Sequence, residues 1–292
     1  MSFAIFTDTS ANLPSELAEK YGIGVIPLSY NMDGEVHVCL DTRTFDAAAY
    51  YAAMKAGANI TTSQVNPQAY VDNMEPVLKA GKDILFVGMS SGISGSMNSA
   101  RIAAEQLLET YPERQIALVD SLGASLGEGL LALRAQAYNE QGLTPAETAT
   151  KLDEEKIHMY QLFTVDDLMH LRKGGRLSNA AAVFGTLLQV KPLLKGTKEG
   201  KIEAFEKIRG RKAVLDRMVQ KYDEMVVDPE NQIVAISHCG CPEDAAAMAE
   251  RLKQNHPPKQ VMVVDHEPVT GSYLGPGALA IYFMGAADIR EK

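Results

Sequence analysis

A chain of 292 residues exceeds one average domain and suggests two. Its 46% hydrophobic and 22% charged residues, with 23 Gly and 13 Pro, are ordinary globular composition and exclude disorder or collagen-like repetition as the main state. The 28 basic residues against 37 acidic ones leave a net charge of −9, which argues against non-specific binding to nucleic acid or to an anionic membrane surface.

The first elements read as strand, loop and helix in repetition. Phe3–Phe6 is a short strand ending at Thr7-Asp8-Thr9-Ser10, and Leu13–Tyr21 is helical, with Asn12 as its cap and Pro14 at an early position. Gly24–Tyr30 is β-rich. Ile84–Gly88 is a strand before a Ser/Gly loop and a helix over Ser99–Tyr111, and Ile116–Asp120 leads through small residues into Leu126–Asn139. This order predicts an α/β domain with a mostly parallel sheet over residues 1–157, its ligand shelf at the carboxyl ends of the strands. After the helix Pro145–Lys156, a second α/β domain over 158–292 follows, with strands at Lys201–Glu206, Ile233–Ser237, Val261–Val264 and Ala278–Phe283. Helices fall near Lys212–Glu224 and Glu243–Asn255. The apolar runs are too short to span a bilayer, so a soluble, cytoplasmic protein is expected, with no integral membrane segment.

The informative chemical pattern is where charge is missing. Ala56–Val71 and Pro268–Ala287 carry none, Val87–Ala104 carries only Arg101, and Gly174–Val190 only Arg176. These stretches hold hydroxyls in Thr61-Thr62-Ser63-Gln64, Ser90–Ser96 and Thr270–Tyr273. Such segments suit an apolar cavity with hydroxyl and backbone N–H donors at one end, as an amphipathic acid needs; small residues that permit close packing are the plainer explanation. The loop near 88–95 lacks the GxGxxG and Walker patterns of nucleotide binders. Gly88-Met89-Ser90-Ser91-Gly92 matches the string around a hydrolase nucleophile, but no histidine and acid are placed beside Ser90 by sequence. Asp8 and Asp120 end predicted strands, where carboxylates act as acid/base groups or cap loops. His238-Cys239-Gly240-Cys241 lacks metal-ligand spacing, and with Cys39 gives neither a zinc site nor a disulfide framework. Two basic runs, Arg172–Arg176 and Lys207–Lys212, are solvated turns or sites for a carboxylate, a phosphate or an acidic partner.

The sequence resembles the DegV family of bacterial fatty-acid-binding proteins. The resemblance is carried by FTDTSANLP at 6–14, TTSQ at 61–64, SSGISGS at 90–96, VDS at 119–121, RKGGR at 172–176, KPLL at 191–194, EKIRGRK at 206–212 and GPGALAIYF at 275–283. It implies two α/β domains, the second with a mixed sheet, and a long-chain fatty acid held between them. It also implies that Thr62 and Ser94 bind the carboxylate, and that Ser63 and Gly95 shape the head region through backbone donors. Arg176 would lie near the head. Arg209 and Arg211 would form a docking patch for a separate fatty-acid kinase that phosphorylates the bound acid. Tyr273 stands where kinase-partner members carry histidine; it keeps a hydroxyl donor but not an imidazole, which supports ligand binding better than kinase partnership. The chain itself is then no enzyme, with no catalytic residue, metal or cofactor beyond the bound acid. The competing readings are a small-molecule phosphotransferase or hydrolase using Asp8, Asp120, Ser90 or Ser94, and a non-catalytic regulatory interaction protein.

Overall fold

The computed structural model describes residues 3–39, 41–178, 190–286 and 289–291. It divides into two compact units, one of Met1–Phe45 with Thr61–Lys156 and one of Asp46–Ile60 with Ile157–Lys292. The excursion at 46–60 departs from the linear division into 1–157 and 158–292. Its helix α2 (Ala47–Lys55) is tied to distant backbone: Tyr50 Oη donates to Pro268 O at 2.7 Å and Tyr51 Oη to His266 O at 2.7 Å. Contacts over more than 200 residues leave no local signature.

In the first unit, β1 (Ala4–Asp8), β2 (Ile23–Ile26), β6 (Ile84–Gly88) and β7 (Ile116–Asp120) form an all-parallel sheet in the order β2-β1-β6-β7. Both faces are covered, as continuous apolar strands require. Ile5, Leu85, Val87 and Val119 pack with Leu131, Ala132 and Ala135 of α5 (Leu126–Glu140) and Leu152 of α6 (Pro145–Glu155). On the alternate face the ring of Phe86 meets Tyr70 of α3 (Pro67–Lys79) edge-on at 5.2 Å, and α4 (Ser96–Thr110) lies beside α3. The β-rich stretch 24–30 splits at Pro27, which has no N–H to give a ladder. Beyond it, β3 (Ser29–Met32) joins a separate small sheet with β4 (Glu35–Val38) and β5 (Ile60–Ser63), in the order β4-β3-β5. Asp33 and Gly34 turn the β3–β4 hairpin with positive φ at both positions, the conformation that favours this pair. Asn12 does not cap α1 (Ser15–Tyr21). It adopts the left-handed region after the Thr9–Ala11 turn and its amide donates to Ser125 Oγ at 3.2 Å, while Pro14 precedes the helix.

The second unit carries β8 (Met159–Thr164), β9 (Val190–Gly196), β10 (Ile202–Arg209), β11 (Ile233–His238), β12 (Gln260–Asp265) and β13 (Leu279–Met284). They form one mixed sheet, β10-β9-β8-β13-β11-β12, in which only β11 and β12 run parallel. Its core is built by Val214, Met218 and Tyr222 of α8 (Arg211–Met225) and by Met248 and Leu252 of α9 (Pro242–Leu252). The Tyr160 and Tyr222 rings both meet Phe283 edge-on. Two short helices, α7 (Met169–Lys173) and α10 (Pro268–Leu274), lie against each other. Residues 179–189, within the uncharged stretch expected to line a cavity, lie outside the described residues. No described helix is long and apolar enough to cross a membrane.

Candidate functional site

In the parallel sheet, β1 and β6 lead the chain off to opposite sides, which places the loops after them at the position where such sheets receive ligands. After Gly88 the Ser/Gly loop runs to α4. Ser96 N–H donates to Ser94 Oγ at 3.2 Å, and Ser94 Oγ lies 3.1 Å from Ser96 Oγ. Ser96 Oγ in turn accepts the N–H of Val65, at 3.3 Å, immediately after the TTSQ segment. A Cβ at Gly95 would lie 2.2 Å from Gln64 Oε1, the far end of an exposed side chain, so the two segments come close at this point. The fold thus brings Thr62 and Ser63 onto a segment adjoining Ser94 and Gly95. Ser94 and Thr62 are part-buried, while Ser63 and Gly95 are exposed. The Ser94 hydroxyl proton is directed at Ser96 Oγ.

The hydrolase candidates are built into the scaffold instead. Ser90 is fully buried, its N–H donates to Gly123 O at 2.7 Å, and its Oγ accepts the Gly92 N–H at 3.1 Å. Asp120 accepts N–H bonds from Leu122 and Ser91, which makes it a loop cap. Asp8 is fully buried, and its Oδ1 accepts from both the N–H and the hydroxyl of Ser10. Burial pushes its carboxyl above the usual range, against the pull of those Ser10 donors and of the Met89 N–H.

In the second unit, Arg176 and Tyr273 are brought together. The guanidinium lies 4.6 Å from the centre of the Tyr273 ring and also donates to Gly174 O. A Cβ on Gly174 would sit 2.3 Å from the same ring, so the turn after α7 must be glycine there. Tyr273 rides on α10, whose start is held by a chain of polar groups. Glu267 accepts the N–H groups of Val269 and Thr270 and the Thr270 hydroxyl, which marks it as a carboxylate. The Thr270 hydroxyl proton is therefore spent on Glu267, so His266 Nε2 donates to Thr270 Oγ1 at 2.8 Å. His266 Nδ1 then accepts from Ser237 Oγ at 2.8 Å, and Tyr282 Oη donates to Ser237 Oγ at 3.0 Å. Burial, with His238 adding to it, drives the His266 imidazole down to about 3, in keeping with this neutral tautomer.

The expected docking arginines differ. Arg209 is exposed at the end of β10. Arg211 opens α8 and is committed internally, with Nε 2.8 Å from Asp244 Oδ2 and Nη1 3.6 Å from Asp166 Oδ1. The Cys239 thiol is raised by burial, and that of Cys241 is pushed up to about 11 for the same reason, so both are protonated and poor metal ligands. No cluster suited to a metal ion occurs among the described residues.

Sequence reading placed Gln64, Ser96 and Gly174 within its candidate segments but gave them no role of their own; the fold makes them neighbours of the expected residues. That reading missed Ser10, Tyr70, Glu128 and His266. Glu128 had a visible signal: it is a single acid in the run Leu126-Gly127-Glu128-Gly129-Leu130-Leu131, whose apolar neighbours foretell burial.

The family model described as uncharacterised protein, DegV family, matches residues 2–286. A DegV domain-containing protein of Clostridium perfringens is 36% identical over 289 residues, 99% of each chain. Among solved structures, the fatty acid binding protein DegV of Bacillus subtilis is similar at 33% identity and a TM-score of 0.83, covering 98% of this chain and 100% of that one. A fatty acid binding DegV family protein of Streptococcus agalactiae is similar at 29% identity and a TM-score of 0.86, covering 98% and 99%.

Proposed function

The chain belongs to the DegV family, and from that premise we propose that it is a non-catalytic binder of a long-chain fatty acid. The observation that carries this reading is the joining of the Thr62-Ser63-Gln64 and Ser94-Gly95 segments through Gln64, Val65 and Ser96. It gathers hydroxyl and N–H donors beyond a parallel sheet without offering a nucleophile paired to a base. Thr62 and Ser94 donate to the carboxylate, and Ser63 and Gly95 contribute backbone N–H groups. In the second unit, Arg176 is stacked on Tyr273 and holds a fixed positive charge there. Burying the tail supplies affinity at about 0.8 kcal/mol per CH₂ before ordering costs. The family members of B. subtilis and S. agalactiae bind fatty acids, which supports the same ligand class here.

A finer part of the proposal is that a cytoplasmic kinase subunit takes the bound acid as substrate, docking at the exposed Arg209. Phosphorylation of the acid with ATP by a kinase, lost in Arg209→Glu while acid binding persists, is the expected result; no phosphorylation by any such kinase removes this part alone.

Native mass spectrometry of the protein purified without added lipid tests the main reading. The expected result is a mass increment equal to one long-chain acid, exchangeable with added acid. Folded protein that neither retains nor binds any such acid would overturn it.

A further inference from the structure

A buried group of oxygens in the first unit is one proton short. Ser10 Oγ lies 2.6 Å from Asp8 Oδ1 and 2.6 Å from Glu128 Oε2. All three residues are fully buried. Each of these contacts needs a proton on the line between the oxygens, and a serine hydroxyl has one to give. Carboxylate oxygens only accept. The second proton must therefore belong to a carboxyl group.

The neighbouring donors say which atom carries it. Asp8 Oδ1 accepts the Ser10 N–H at 2.8 Å, and Glu128 Oε1 accepts the Thr7 hydroxyl at 2.9 Å. The choice lies between Asp8 Oδ1 and Glu128 Oε2, and the Ser10 N–H favours the negative charge on Asp8 Oδ1 and hence the proton on Glu128 Oε2. We infer that Asp8 and Glu128 share one proton through Ser10, so that the pair holds a single negative charge at neutral pH. In the resting arrangement Glu128 Oε2–H donates to Ser10 Oγ, and Ser10 Oγ–H donates to Asp8 Oδ1.

The surroundings favour this state. Tyr70 from α3 faces both carboxyls, and its hydroxyl is held protonated by burial and by those two groups. The Ser96 hydroxyl, from α4, faces Tyr70, and the Met89 N–H at the end of β6 faces Asp8. Two anions in so small and dry a space would repel each other, and retaining one proton relieves that. The shared proton closes the β1 turn onto the first turn of α5, at the end of the sheet that also carries the Ser94 loop. The inference stands apart from the identity of any ligand.

Its consequence has a definite sign. An unfolded carboxyl gives up its proton near pH 4, whereas the folded pair keeps one above that. Stability is therefore highest on the acid side of this transition and falls as pH rises through the folded pair's own value. Glu128→Gln supplies the missing N–H donor at the Oε2 position permanently and still accepts from Thr7. Urea unfolding of wild type and Glu128→Gln from pH 6 to pH 9 is the test. The variant should match or exceed wild type at pH 8, and its midpoint should vary less with pH. Infrared spectra of the folded wild type at pH 7 should show the C=O stretch of a protonated carboxylic acid, absent from Glu128→Gln and from Asp8→Asn. A variant less stable than wild type at pH 8 would overturn the inference. So would a wild-type spectrum without that band, which holds even if the variants fail to fold.

Discussion

Each unit buries a chain of polar groups at the end of its sheet, and the two chains differ in how their protons add up. In the second unit, Tyr282, Ser237, His266, Thr270 and Glu267 form a directional series in which each hydroxyl donates once and every proton has an acceptor. In the first, Ser10 stands between two acceptors and needs a proton from one of them. The lesson is that burial alone does not set the response to pH. A complete series ending in a carboxylate resists gaining a proton, whereas a deficient one resists losing it.

The largest effect should come from His266. Its folded value near 3 lies well below the ordinary 6.5, so the unfolded state binds a proton that the native state refuses. Its contribution to stability is complete above pH 6.5 and is lost as pH falls toward 3, up to ~5 kcal/mol over that window. His266→Gln, unfolded by urea across pH 4–7, should start less stable at pH 7 but lose less on acidification. Parallel acid slopes for the two proteins would show that the folded imidazole accepts a proton, and the contrast between the units would collapse.

Two glycine substitutions sharpen the comparison further. Gly174→Ala drives a Cβ into a stacked ring and should cost about 1–3 kcal/mol in thermal or urea unfolding. Gly95→Ala meets only the tip of the exposed Gln64 side chain, which can swing away. Its stability should change by less than ~1 kcal/mol, with the effect falling on acid binding instead. Ser94→Ala should weaken binding of a long-chain acid by roughly 5- to 100-fold, about 1–3 kcal/mol, in a titration with fluorescent or radiolabelled acid. Unchanged affinity would remove Ser94 from contact with the head group. The smallest pair is Arg211→Ala and Arg209→Ala. The first breaks ion pairs to Asp244 and Asp166 and should cost about 1 kcal/mol, while the second should stay within ~0.5 kcal/mol. Equal effects would mean that the internal pairing of Arg211 does no more than an exposed charge.

The strands at 84–88 and 116–120 and the helix from 126 were legible because apolar periodicity and the residues that end elements are local properties. The excursion of α2 was not, since Tyr50 and Tyr51 read as ordinary helix residues until their distant carbonyl partners are known. The division of Gly24–Tyr30 into two sheets was signalled by Pro27, a residue without an N–H, and that signal was passed over. The expectation that Thr62, Ser94 and Arg176 serve a ligand came from family resemblance. Composition showed only that charge avoids their loops, because a hydroxyl's role depends on which acceptor lies within 3 Å.

The −9 charge, the two α/β units and the uncharged hydroxyl-bearing loops were determined by the sequence itself, since they follow from residue type and order. Tertiary structure alone decided that Arg211 is an internal ion-pair partner, that Gly95 and Gly174 are points of close approach, and that His266 is neutral. It alone placed Ser10 within 2.6 Å of two carboxyls. The physical reason is the same in each case. Protonation, pairing and packing depend on distances between groups far apart in the chain, and only the folded state fixes those distances.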